Sequence, residues 1–280
     1  MRALLYISIA LSVVACVPAP KTTTTTSGSA VNSSAPYIWT SSFPKDVHIS
    51  NAFSAGEVTK ITNMGTAWKT AVNNHETFFN LSVSRATEIT PVTNLDAFYN
   101  DGILAIYKAS AAWPSGLPSY ALAVTQLYGR RYNTGQSNEY VQIEHADIIL
   151  NEKDYDFDTT MDSNDFDLQT VILHEMGHFL GLQHNTTAGR ANTVMYPNIN
   201  GDESKRTPLQ ADIDVLTSNY NITMPLRAGL SAISTDAPDY TPNPGDHGEG
   251  VKVVFELRAD GDCVHKLDGF EVERHRVSLK

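Results

Sequence analysis

The stretch HEMGHFLGLQH, residues 174–184, places three of the chain's nine histidines within eleven positions. His174 and His178 are four apart, so on a helix they stand one turn apart on the same face. Their imidazoles can then converge on one ion, with Zn–N distances of about 2.0–2.1 Å in such sites. Glu175 is rotated by roughly 100° from His174, beside the ion rather than among its ligands. His184 lies six residues beyond His178, roughly 240° around, which is the wrong side of a continuing helix. The helix must stop before it, and Gly181 is where it can, because glycine takes positive φ at little cost. The five fixed identities of HExxHxxGxxH have a chance expectation on the order of 10⁻⁴ in a chain of this length.

Three neutral histidines leave a zinc ion its full charge and one coordination position open to water. Glu175 would take a proton from that water and later pass one to a leaving group, so no covalent nucleophile is needed. The expected chemistry is hydrolysis by metal-activated water.

HEMGHFLGLQH resembles the zinc-binding signature of the metzincin metallopeptidases. TVMYP follows at 193–197, and its Met-Tyr-Pro form is similar to the Met-turn of the matrixins, with Met195 eleven residues beyond His184. The resemblance implies an α+β metzincin catalytic domain. That domain has a twisted, mostly parallel five-stranded sheet, an active-site helix, the Met-turn and a C-terminal helix, around one catalytic zinc. It implies a zinc endopeptidase acting on proteins or peptides, with His174, His178 and His184 as ligands and Glu175 as general base. Matrixins carry paired aspartates that brace the Met-turn; LQADIDVL keeps only the second, Asp212. Matrixins often add a structural zinc and calcium. His145 and Asp147 in EHADI are too thin an echo to predict the former. The run DYDFDTTMDSNDFD has six aspartates between 154 and 167, enough oxygen for Ca²⁺ but without known loop spacing, and a solvated acidic loop competes with it.

The element pattern from Tyr37 fits that order. PKDVHISNAF is strand-like, and SAGE at 54–57 has the form of a capping box. A helix follows with Ile61, Met64, Trp68 and Val72 on one face. FFNLSVS, GILAIYKA, YALAVTQLYGR and EYVQIEHADIILN are strand candidates. The zinc helix begins near Asp167, and TPLQADIDVLTSNY closes the domain as a helix. The resemblance further implies an edge strand that pairs with extended substrate. YALAVTQLYG is the candidate, with NTTAGRANTV between His184 and Met195 shaping side-chain preference.

A net charge of −11 argues against nucleic acid or an anionic membrane surface as partner. MRALLYISIALSVVAC reads as a secretory signal over residues 1–15, with an apolar run too short for a permanent span. Val13-Val14-Ala15-Cys16 resembles a bacterial lipobox, which implies a lipid on Cys16 and attachment to the cell envelope, with the outer membrane or cell surface favoured. An ordinary signal cleaved near Ala15 or Ala19 is the alternative. Residues 16–36, rich in Thr, Ser and Pro, form a tether. Cys263 then has no intramolecular partner, and is expected to be an idle thiol rather than a latency ligand.

The catalytic domain is assigned to 37–222 and a small β-rich segment of unknown role to 223–280. In that segment VKVVFELR alternates Val251, Val253, Phe255 and Leu257, and GFEVERHRVSLK is its candidate partner. The segment could pack on the catalytic domain, cover its cleft or bind a surface polymer. His247, His265 and His275 show no ligand spacing and are expected in solvent. The expected protein is a monomeric, exported, lipid-anchored zinc endopeptidase. The competing reading is a surface binding protein or adhesin on the same scaffold.

Overall fold

The computed structural model describes residues 35–82, 84–85, 101–157, 165–186, 190–197, 199, 204–222, 238–258 and 263–275. The leader and nearly all of the tether fall outside them. None of the described helices is long and apolar enough to cross a membrane.

The described residues form an α+β unit of three helices against one mixed sheet. Helix α1 (Ala55–Ala71) starts at Ser54, whose hydroxyl accepts from the Glu57 amide at 3.3 Å while Glu57 accepts from the Ser54 amide at 2.7 Å. That is the capping box read in SAGE. Its predicted apolar face is buried, and Trp68 donates Nε1–H to the carbonyl of Leu173 at 3.1 Å, which locks α1 to the zinc-signature helix α2 (Leu168–Phe179). Helix α3 (Gln210–Asn219) closes the described part of the 37–222 region.

The sheet contains β1 (Tyr37–Ile38), β3 (His48–Ser50), β5 (Ser84–Arg85), β6 (Ala105–Lys108), β7 (Ala121–Tyr132) and β8 (Tyr140–Leu150). Strands β3, β5, β6, β1 and β8 pair in parallel, and β7 runs antiparallel to β8. A separate parallel pair joins β2 (Lys45–Asp46) to β4 (Phe79–Asn80). Strands β7 and β8 are nearly continuously buried because α2 covers one face while Trp113 and Leu117 cover part of the other.

Where five strands were expected, the described sheet has nine. The C-terminal strands β9 (Glu249–Arg258), β10 (Cys263–Leu267) and β11 (Phe270–His275) extend it as an antiparallel meander in the order β7-β9-β10-β11. The alternating face read in VKVVFELR, with Val251, Val253, Phe255 and Leu257, joins the main core. The hairpin partner of β9 is β10, a stretch not assigned as a strand from the sequence, and β11 pairs with β10 instead. One expectation is overturned here. YALAVTQLYG is not an open edge, because β7 pairs with β8 on one side and with β9 on the other, from Ala121 to Arg131.

Helix α2 begins as the sequence indicates. Asp167 accepts from the Thr170 amide at 2.9 Å and pairs with Arg206 at 2.5 Å. Burial raises the Asp167 carboxyl, but the Arg206 and Thr170 hydrogen bonds outweigh it and hold the group below its usual value. At the other end, Leu180 caps the helix and Gly181 takes φ 82°. The Leu182 amide returns to Gly177 O at 2.9 Å and the Gly181 amide to His178 O at 2.8 Å, a Schellman closure. A Cβ on Gly181 would also overlap the carbonyl oxygen of Tyr37 in β1. Gly181→Ala is therefore predicted to lower unfolding free energy by at least ~2 kcal/mol in chemical denaturation, since left-handed strain and a backbone clash add.

Candidate metal centre

The turn at Gly181 brings His184 back to the helix face that carries His174 and His178. The three Nε2 atoms lie 3.1 Å (His178–His174), 3.0 Å (His178–His184) and 3.3 Å (His184–His174) apart. Three ligands on one face of a zinc tetrahedron with Zn–N near 2.05 Å are separated by about 3.3 Å. The donor set therefore fits that ion. Among the described residues, this is the group of His, Cys, Asp or Glu side chains whose ligand atoms converge.

Each ring is held by its far nitrogen. His174 Nδ1 lies 2.8 Å from the carbonyl of Val194, and His178 Nδ1 lies 2.8 Å from that of Leu182. These contacts keep the proton on Nδ1, which donates to the carbonyl, and leave the Nε2 lone pair facing the common point. Burial lowers His174 to about 4 and His178 well below its usual value, which keeps both rings neutral, the form that ligates.

Met195 is buried, and any Cβ on Gly177 would overlap its sulfur, so the glycine inside HEMGH makes room for the Met-turn beneath the helix. Asp212, at the start of α3, accepts from the amides of Val194 at 3.0 Å, Met195 at 3.2 Å and Leu209 at 2.9 Å. Burial raises its carboxyl against those three hydrogen bonds. Asp212 thus ties down the turn whose Val194 carbonyl orients His174.

Glu175 is fully buried on α2, 0 % exposed, and burial pushes its carboxyl up to about 8, opposed by a hydrogen bond from Thr125. Thr125 Oγ1 donates to Oε2, while Oε1 has no hydrogen-bond partner. A cation held by the three imidazoles would draw that carboxyl back down.

The matrixin family profile matches residues 127–221. That segment is part of a matrixin-like metzincin catalytic domain. Comparison with curated proteins gives no match. The matrixin match suggests zinc metallopeptidase activity and, with it, protein or peptide substrates.

Several neighbours of the histidine triad were not legible in the sequence as site residues. Thr125, Phe255, His265 and Glu273 come from four strands, opposed in one cross-strand row: Thr125 with Phe255, Phe255 with His265, and His265 with Glu273. The Phe255 ring stacks on His178 at 4.1 Å and 8°. His265, expected in solvent, is 3 % exposed, with Nε2 2.8 Å from His184 Nδ1. The β7–β9–β10 pairing puts it there, 81 residues beyond His184 in sequence, which local spacing cannot reveal. His247 is exposed as expected, and the His275 side chain lies outside the described ones.

His145 and Asp147 form a buried pair at 2.8 Å, and Asp147 also accepts from the Ala105 amide at 2.9 Å, which ties β8 to β6. Residues 158–164 of the aspartate run, residues 187–189 of the loop before Met195, and the Cys263 thiol fall outside what is described. Asp212→Ala is predicted to lower unfolding free energy by about 2–4 kcal/mol, because two buried N–H groups and the partly buried Leu209 amide lose their acceptor. Asp212→Asn, which keeps one acceptor, should recover part of that loss in the same denaturation experiment.

Proposed function

We propose that this protein is a zinc endopeptidase in which His174, His178 and His184 hold the ion and Glu175 is the general base. The observation that carries the reading is the convergence of three Nε2 atoms on the helix that also bears Glu175, whose Oε1 is buried and unpartnered. Bound zinc supplies Lewis acidity that polarises the scissile carbonyl and acidifies water. Glu175 Oε1 receives the proton of the attacking water and returns one to the leaving amine. Thr125 holds Oε2, so the carboxylate keeps one orientation through both transfers. Met195 and Asp212 are structural supports of the site. The signal-like leader, Cys16 within its lipobox-like context and the Thr/Ser-rich tether support an exported, envelope-anchored form.

The described form is closed. Strand β9 lies along the edge of β7 where an extended peptide would pair, and Phe255 covers the His178 ring. His174, Glu175 and His178 are each 0 % exposed. A peptide reaches Glu175 only when β9 yields, so the C-terminal strands act as an internal occupant of the substrate position. This reading favours the cleft-covering role among those open to residues 223–280.

Two outcomes are predicted with purified chain and a peptide mixture followed by mass spectrometry. Zinc-loaded parent cuts peptides, a chelator abolishes cutting, and Glu175→Ala lowers kcat/KM by about 10²–10⁴-fold while retaining zinc. Gln126 and Val254 oppose each other in the β7–β9 ladder, and antiparallel partners suit a disulfide. In a Cys263→Ser background, Gln126→Cys with Val254→Cys should be inactive when oxidised and active when reduced. Equal activity in both states would rule out β9 as the obstruction. Zinc bound with no cutting in either state would favour the binding-protein reading.

A further inference from the structure

The third ligand differs from the other two in what holds it. His174 and His178 each direct Nδ1 at a backbone carbonyl of their own neighbourhood, Val194 and Leu182. His184 directs Nδ1 at a side chain, His265 of β10, at 2.8 Å. Because Nε2 of His184 faces the other two ligands, its proton sits on Nδ1 and is donated to His265 Nε2. His265 then carries its own proton on Nδ1, which lies 3.1 Å from the Glu273 carboxylate on β11. Proton direction is consistent along the whole chain: His184 donates to His265, and His265 donates to Glu273.

A histidine in this row is otherwise hard to explain. The inward row of the C-terminal strands also carries Val253, Phe255, Leu257 and Leu267, all in the main core. Burying an imidazole there is unfavourable unless both nitrogens find partners. Both do, and one of those partners is a candidate metal ligand. The edge of the His265 ring meets Phe255 at 4.4 Å and 83°, which fixes its tilt toward His184.

We infer that His265, oriented by Glu273, is a positioning residue for His184, so that the C-terminal strands supply the outer shell of the metal centre. The inference rests on the triad holding zinc, as proposed above. It makes metal binding and closure of the C-terminal strands mutually favourable, since each stabilises the contact the other needs.

The test is zinc affinity of the full chain, measured by competition with a chromophoric chelator, with the visible spectrum of the Co²⁺ form as a second readout. His265→Phe keeps a flat aromatic ring, somewhat larger than imidazole, and removes both hydrogen bonds. It should weaken zinc binding by about 10–100-fold and shift the Co²⁺ bands, in a metal-free chain that still melts cooperatively. His265→Gln, which keeps an acceptor, should recover part of the affinity. Glu273→Gln, at a half-buried outer position, should give a smaller loss of about three- to tenfold. If His265→Phe does not fold, Glu273→Gln decides the matter alone. Unchanged affinity and an unchanged Co²⁺ spectrum in the folded variants would overturn the positioning role. A parent that binds no zinc would instead overturn the peptidase reading beneath it.

Discussion

Three neutral imidazoles facing one another at about 3 Å are stable only if something holds each ring by its other nitrogen. That constraint organises much of the molecule. The Val194 carbonyl holds His174, and Val194 is itself held by Asp212 from the closing helix. The Leu182 carbonyl holds His178 and exists in that place because Gly181 turns the chain. His265 holds His184 from the far end of the sequence. Helix α2, the Met-turn, α3 and the C-terminal strands are thus tied together through the far nitrogens of three rings.

The signature was legible because its determinants are local. A four-residue step on a helix and a glycine that must adopt positive φ are properties of neighbouring residues, and the structure places His174, His178, His184 and Gly181 in the geometry those steps require. Asp212 and Met195 were legible through resemblance alone, and their contacts are to backbone amides and to Gly177, which no spacing could specify. The long strands of the 37–222 region could be read because burial on both faces leaves long apolar runs, as in ALAVTQL.

The C-terminal strands were legible only in part. The alternation of Val251, Val253, Phe255 and Leu257 announced a buried face but not what it covers. Pairing with β7 depends on register between segments more than a hundred residues apart, and a one-residue slip would turn Phe255 and His265 away from the histidine triad. The same long-range pairing overturned the expectation that β7 is an open edge. On the peptidase reading proposed above, the pairing of β9 with β7 makes closure, rather than the catalytic groups themselves, the step that would govern access.

The most direct test of the three-imidazole centre is zinc K-edge X-ray absorption on the purified, zinc-loaded protein. Coordination by three imidazole nitrogens and one oxygen at about 2.0–2.1 Å is the expected result. A sulfur scatterer, a fourth imidazole in direct coordination, or failure to retain zinc would contradict it.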